Sequence, residues 1–218
     1  MEKQINYSHP IDITLRLDQH TILYPGDPPV SIKNVLQISK GDALNLSEFG
    51  SLGLHAGTHI DLPAHFLEQA KCLDQYVIDN FVGMAVVIEI FNTNIIRTED
   101  LPKLELPRNT HILLKTDNSD LLNRTEFTSD YCYLSEDASR QLVSYAPASI
   151  GIDYYSLDPA TSTSFEAHKI MARADVPVYV CLDLRKVDPG PYYFMGLPLA
   201  LSEVEASPVR AVLFPTLS

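Results

Sequence analysis

Positive charge is scarce in this chain. Sixteen Lys and Arg stand against 28 Asp and Glu, a formal net charge of −12. That balance argues against nucleic-acid binding, because a phosphate backbone asks for a basic face. It disfavours an anionic membrane surface for the same reason. Cysteine is scarce as well. Cys72, Cys132 and Cys181 lie far apart, which suits reduced thiols better than a disulfide framework. Cys181, between Val180 and Leu182, reads as a small buried core residue. Long apolar runs are missing: the longest, Phe81 to Ile88, falls far short of the roughly 20 residues of a membrane span. Met1 to Leu17 is polar and broken by Pro10, without the basic start and apolar run of a signal peptide. Repeats, low-complexity tracts and linkers are absent too. The expectation is one cytoplasmic domain over residues 1–218, with 45% hydrophobic residues to build its core.

What the chain does have is a concentration of histidine. His55-Ala56-Gly57-Thr58-His59-Ile60-Asp61-Leu62-Pro63-Ala64-His65 holds three of its seven histidines and a carboxylate. Transition metals bind His nitrogen and Asp oxygen at about 2.0–2.2 Å, and a straight strand of four residues spans about 13 Å. His55 and His59 therefore reach one ion only if the chain bends between them. Gly57 permits such a bend, and Pro63 stops a regular helix from running through. The stretch reads as a bent strand-to-turn segment round a cation, with His55, His59 and Asp61 as ligands and His65 beyond them as a free base. Two imidazoles and a carboxylate suit Zn²⁺ first, with Mn²⁺ as the alternative.

His-x-Gly-Thr-His-x-Asp-x-Pro-x-His also resembles the signature of the putative-cyclase family of metal-dependent hydrolases, which includes bacterial kynurenine formamidases and isatin hydrolases. Tyr24-Pro25-Gly26-Asp27-Pro28, Gly151-Ile152-Asp153-Tyr154, Ser156-Leu157-Asp158-Pro159, His168 and Gly196-Leu197-Pro198-Leu199 resemble other segments of that family, so the likeness runs from about residue 10 to residue 214. It implies a swivelling β/β/α-type fold, a homodimer or homotetramer, and hydrolysis of a small aromatic or cyclic amide of the N-formylkynurenine type. It implies that Tyr24 presents an aromatic ring to the substrate, where the family usually carries the Trp that this chain lacks. It also implies that His168 is a metal ligand. By residue type alone His168 would be a core histidine on the apolar face of a helix, although the nearby helix N-terminus favours a neutral ring.

One family feature is broken. Relatives with two zinc ions use a Glu about twelve residues after the second-half His, and the same count from His168 reaches Val180. Asp183 is the nearest acid, but strand alternation turns it away from the face of Val180. One firmly held ion is expected, with His168 either its fourth ligand or the holder of a weak second ion with Asp61. Such an ion lowers the pKa of bound water toward about 7, giving a hydroxide nucleophile, and His65 is placed to move the proton. The rival activities are opening of an isatin-like or lactone ring, which shares the carbonyl chemistry, and metal or ligand binding without catalysis.

For the rest, about nine strands and three or four helices in mixed order predict an α/β domain with a largely β core and flanking helices. Leu44 to Leu54 is expected to be a strand delivering His55. Thr98 to Asp100 looks like a helix start. His111 is expected at a surface or strand edge, and Asn118 to Asp130 as a loop long enough for a lid or an insertion. Ser135 is expected to cap a helix through Tyr145, and Thr163 to Glu166 fits a capping box.

Overall fold

The computed structural model describes residues 5–103 and 105–216, so the first four residues of the polar N-terminal stretch lie outside the described residues. Alternating and β-branched runs form the strands β1 (Ile11–Asp12), β2 (Ser31–Leu36), β3 (Leu46–Ser51), β4 (His59–Asp61), β5 (Val82–Ile90), β6 (Ile95–Ile96), β7 (His111–Thr116), β8 (Tyr133–Leu134), β9 (Ile150–Ile152), β10 (Val178–Val180), β11 (Gly190–Pro198) and β12 (Ala206–Pro215). Among the described residues three α-helices accompany them: α1 (Asn118–Leu121), α2 (Glu136–Ser144) and α3 (Glu166–Arg173).

Seven strands close into a barrel in the order β12-β11-β5-β7-β9-β10-β4 and back to β12. The β5-β7-β9-β10 run is parallel and the remaining pairs are antiparallel. Closure leaves few free edges, and the ten-residue β12 makes it possible. Along one edge it pairs with β11, while along the other it pairs with β4 near its start and β1 near its end. Side chains alternate across the barrel wall. Ala85, Val87, Leu113, Tyr179, Phe194 and Leu213 fill the interior. Ile88, Ile112, Leu114, Ile150 and Val178 face outward and pack against Leu142 of α2 and Met171 of α3. This is the expected α/β domain with a β core and flanking helices.

Several local expectations need correction. Leu46–Ser51 is a strand, but it pairs with β2 in a separate two-stranded hairpin and not with the barrel. Thr98–Asp100 is a single 3-10 turn closed by the Asp100 carboxylate, which accepts from the Arg97 amide. Asn118 to Asp130 is no free lid. It begins with α1, and the Asn118 amide group pairs in both directions with the Cys132 backbone at 2.7 and 2.8 Å. Phe127 of the same segment packs edge-on against Tyr24. Polarity at Asn118 and Ser119 marks buried hydrogen bonding, while Asn123 to Glu126, Ser129 and Asp130 are exposed. Ser135 does cap α2, accepting from the Ala138 amide at 3.2 Å.

His111 is not at the surface: it is fully buried. Alternation along β7 points it inward with Leu113, against the Phe194 ring. Its Nδ1 pairs with the Ser149 hydroxyl at 2.7 Å, and its Nε2 has no partner. Burial pushes its pKa down to about 4, against about 6.5 for the unfolded chain. Above pH 6.5 both states are neutral. As pH falls from 6.5 to 4 the unfolded chain takes up a proton that the folded one refuses, so this group should cost the fold up to about 3 kcal/mol by pH 4. Denaturant titrations at pH 7 and pH 4 should show a steeper acid loss in the wild type than in His111→Leu. Equal losses would mean that His111 is protonated in the native state.

Candidate metal centre

The His55–His65 stretch runs through the barrel strand β4, and its functional side chains gather on the outer face of the wall, toward α3. His59 and Asp61 alternate with Ile60 on β4, so both point to one face while Ile60 enters the core. His55 arrives from the preceding turn. Gly57 turns the chain back at φ +61°, and a Cβ there would fall 2.6 Å from a Leu17 methyl. That bend brings His55 to its partners, as the spacing requires. A 3-10 turn over Pro63–His65 then ends the strand.

Three imidazoles converge on one carboxylate. Asp61 Oδ1 is 2.8 Å from His55 Nδ1 and 3.4 Å from His59 Nε2, and Oδ2 is 3.8 Å from His168 Nε2. None of these contacts is aligned as a hydrogen bond, and Asp61 Oδ1 and His168 Nε2 are buried without partners. An unpaired buried polar atom is costly, and two of them among three imidazoles that approach one carboxylate suit a cation. His55, His59 and Asp61 can each offer one donor atom within 4.8 Å of the others. His168 stands on the opposite side of Asp61.

The other ring nitrogens turn away from the centre and are already engaged. His59 Nδ1 donates to the Gly57 carbonyl at 2.8 Å. His168 Nδ1 donates to Asp158 Oδ2 at 2.6 Å. His55 Nε2 lies 3.3 Å from Glu205 Oε1. Partners of this kind fix the tautomer and the orientation of ligating histidines.

Asp158 also corrects the helix cap. Glu166 does not fold back in a capping box with Thr163. Phe165 takes the left-handed conformation just before α3, and the Asp158 carboxylate accepts from the amides of Ala167 and His168 at 2.8 and 3.1 Å. Burial works against its charge, but His168 and these amides hold its carboxyl below the usual carboxylate range. One side chain thus starts the helix and orients the histidine it carries. Burial likewise opposes the charge on Asp61, and the surrounding imidazoles hold its carboxyl well below the usual range. Burial also opposes protonation of His55, but Asp61 and Glu205 raise its pKa to about 9 in the metal-free protein.

A cavity of about 320 Å³ opens over this cluster, within the range of small-molecule sites. Tyr24 lines it, as does Asp27, whose amide closes the turn onto the Tyr24 carbonyl. Phe66 stacks on His168 with ring centroids 4.5 Å apart, and Phe165 lies 5.8 Å beyond Phe66. His65 stands at the solvent-exposed mouth, its ring 4.2 Å from that of His55. Partial burial lowers its pKa against the pull of Asp61, so it is neutral near pH 7. Val180 pairs with His59 in the β10-β4 register, so it faces the same side of the sheet, where its apolar side chain has nothing to donate. Asp183 is turned elsewhere and paired with Arg185 at 2.7 Å.

Sequence reasoning missed Glu205 and Phe66, and it noted Asp158 within the Ser156-Leu157-Asp158-Pro159 segment without reading a role for it. Asp158 lies ten residues before His168 and Glu205 lies 150 after His55, and only the closed barrel brings the latter close. Phe66 directly follows His65, and its place in the segment was the available signal.

Residues 11–159 match the family model described as "Putative cyclase". The chain is 34% identical over 203 residues to the kynurenine formamidase of Geobacillus thermodenitrificans, covering 93% of this chain and 96% of that protein. It is 32% identical to the kynurenine formamidase of Bordetella avium over the same shares. Among solved structures, a potential metal-dependent hydrolase with cyclase activity superposes with a TM-score of 0.80 at 25% identity, over 94% of this chain and 97% of that one. Isatin hydrolase A from Labrenzia aggregata superposes with a TM-score of 0.82 at 19% identity, over 96% and 94% of the two chains, a likeness of fold.

Proposed function

The chain belongs to the putative-cyclase family, and from that membership and the converging histidines we propose that it is a metal-dependent hydrolase that cleaves the carbon–nitrogen bond of a small aryl formamide. His55, His59 and Asp61 hold one ion, zinc by preference and manganese next, with His168 facing it across Asp61. Val180 supplies no carboxylate for a second ion. When bound, the ion supplies Lewis acidity and a water of lowered pKa. The rest falls to side chains. Water adds to the formyl carbon, the C–N bond breaks, and formate and the free amine leave. His65, neutral and free of the ligand set, takes up the water's proton and returns it to the departing nitrogen. Tyr24, Phe66 and Phe165 wall the cavity with rings against which an aryl group packs.

The observation that carries this reading is the pair of orphaned buried atoms, Asp61 Oδ1 and His168 Nε2, inside a ring of pre-oriented imidazoles. We place the enzyme in the cytoplasm, in keeping with its three free cysteines. Among the described residues no helix is long and apolar enough to cross a membrane. The β2-β3 hairpin leaves Ile32, Val35, Leu46 and Phe49 exposed. An apolar arm of this kind favours burial against a second copy, as a homodimer or homotetramer.

The test is turnover. Purified protein should hydrolyse N-formylkynurenine or formanilide, lose that activity on chelation, and regain it with Zn²⁺ or Mn²⁺. No turnover of any aryl formamide with either ion would overturn the assignment. Turnover of isatin alone would move it to ring opening.

A further inference from the structure

Glu205 lies just before β12, beside His55 and His65, with its side chain 40% exposed. Its backbone is held by the barrel, because its carbonyl accepts from the Leu62 amide at 2.9 Å and the next residue, Ala206, pairs with Asp61. Its carboxylate faces His55 Nε2 at 3.3 Å, while the other nitrogen of that ring, Nδ1, faces Asp61. Two roles are open to such a carboxylate. Glu205, His55 and His65 could together offer donor atoms to an ion of their own, or Glu205 could serve His55 from behind.

The ring itself decides. A neutral imidazole has one lone pair and one N–H. With Nδ1 given to an ion beside Asp61, Nε2 carries the proton and can only donate. His59 and His168 follow the same rule, each with one nitrogen toward Asp61 and the other donating to an oxygen. We propose that Glu205 is a positioning residue, which accepts the Nε2–H of His55 and so fixes the tautomer and ring angle with which Nδ1 meets the metal. The proposal rests on the metal-centre reading above and adds to it a group from the far end of the chain.

Partners of this kind typically contribute 10- to 100-fold in metal affinity. Zinc affinity, measured by competition with a chromogenic chelator, should therefore fall about tenfold in Glu205→Ala, at the low end for an exposed group. Glu205→Gln, whose side-chain oxygen still accepts the N–H, should recover part of that loss. In NMR spectra of the zinc-loaded protein, the His55 Nε2–H should exchange slowly with water in the wild type and rapidly in Glu205→Ala. Unchanged zinc affinity and exchange in Glu205→Ala would overturn the proposal while leaving the metal centre intact. Equal loss in the Gln and Ala variants, with a matching loss in His65→Ala, would make Glu205 a ligand instead. Failure of the wild type to take up zinc would overturn the metal-centre reading, and this proposal with it.

Discussion

Asp61→Asn should remain folded, stop binding zinc and lose about a thousandfold or more in turnover. Asp61 is the one group that all three inward-facing imidazole nitrogens approach. Asn fills the same space, and the backbone pairing of β4 with β10 and β12 does not use the side chain, so the barrel survives. What goes is the negative charge that gathers the cation. A bound ion contributes several kcal/mol of transition-state stabilisation, and about 4 kcal/mol corresponds to roughly a thousandfold in rate. Ligand-induced stabilisation gives a readout independent of activity. Zinc at a hundredfold over its Kd should stabilise the wild type by about 2.7 kcal/mol and the variant by nothing. A variant that keeps both zinc and turnover would remove Asp61 from the centre.

His65→Ala should do the converse: zinc binding holds and turnover falls by about 10²–10⁴-fold, the usual share of general acid–base catalysis. His65 is at the mouth, against His55 and Phe66, and outside the three residues nearest the orphaned Asp61 oxygen. The pH profile adds a second signature. The His65 pKa is lowered from its ordinary value, chiefly by burial, and the neutral ring is the active base. Activity should therefore fall as pH drops through a value below 6.5, and that limb should vanish in the variant. An unchanged kcat, or loss of zinc along with activity, would contradict the role.

How much of this could be read from the sequence follows from how local each feature is. The bend at Gly57 and the His55–Asp61 spacing sit within seven residues, so their geometry could be argued from chain dimensions alone, and the structure brings these side chains together. The count from His168 to Val180 also located the apolar side chain opposite His59. His111 was misplaced because alternation along β7 reveals two faces but not which one a closed barrel encloses. The cap of α3 was misread because Phe165 adopts the left-handed conformation and a distant Asp158 replaces the local box. Asn118 looked like loop chemistry because a buried amide pair and a solvated loop use the same residue types. Glu205 reaches His55 only through the pairing of β12 with β4, which no spacing along the chain announces.

The same contrast separates stability from function in this fold. The barrel interior and the helix-facing layer are mostly apolar, with His111 Nε2 the unpartnered polar atom inside the barrel, whereas the cluster beside β4 holds two such atoms, Asp61 Oδ1 and His168 Nε2, among three imidazoles. Such atoms weaken a metal-free protein and serve a protein that holds an ion.

The most direct test is an anomalous-difference map at the zinc edge, from crystals grown with one equivalent of zinc per chain. A single peak is expected about 2.0–2.2 Å from Nδ1 of His55, Nε2 of His59 and a carboxylate oxygen of Asp61. A peak away from those three side chains, or their cluster left without density at full zinc loading, would contradict the account.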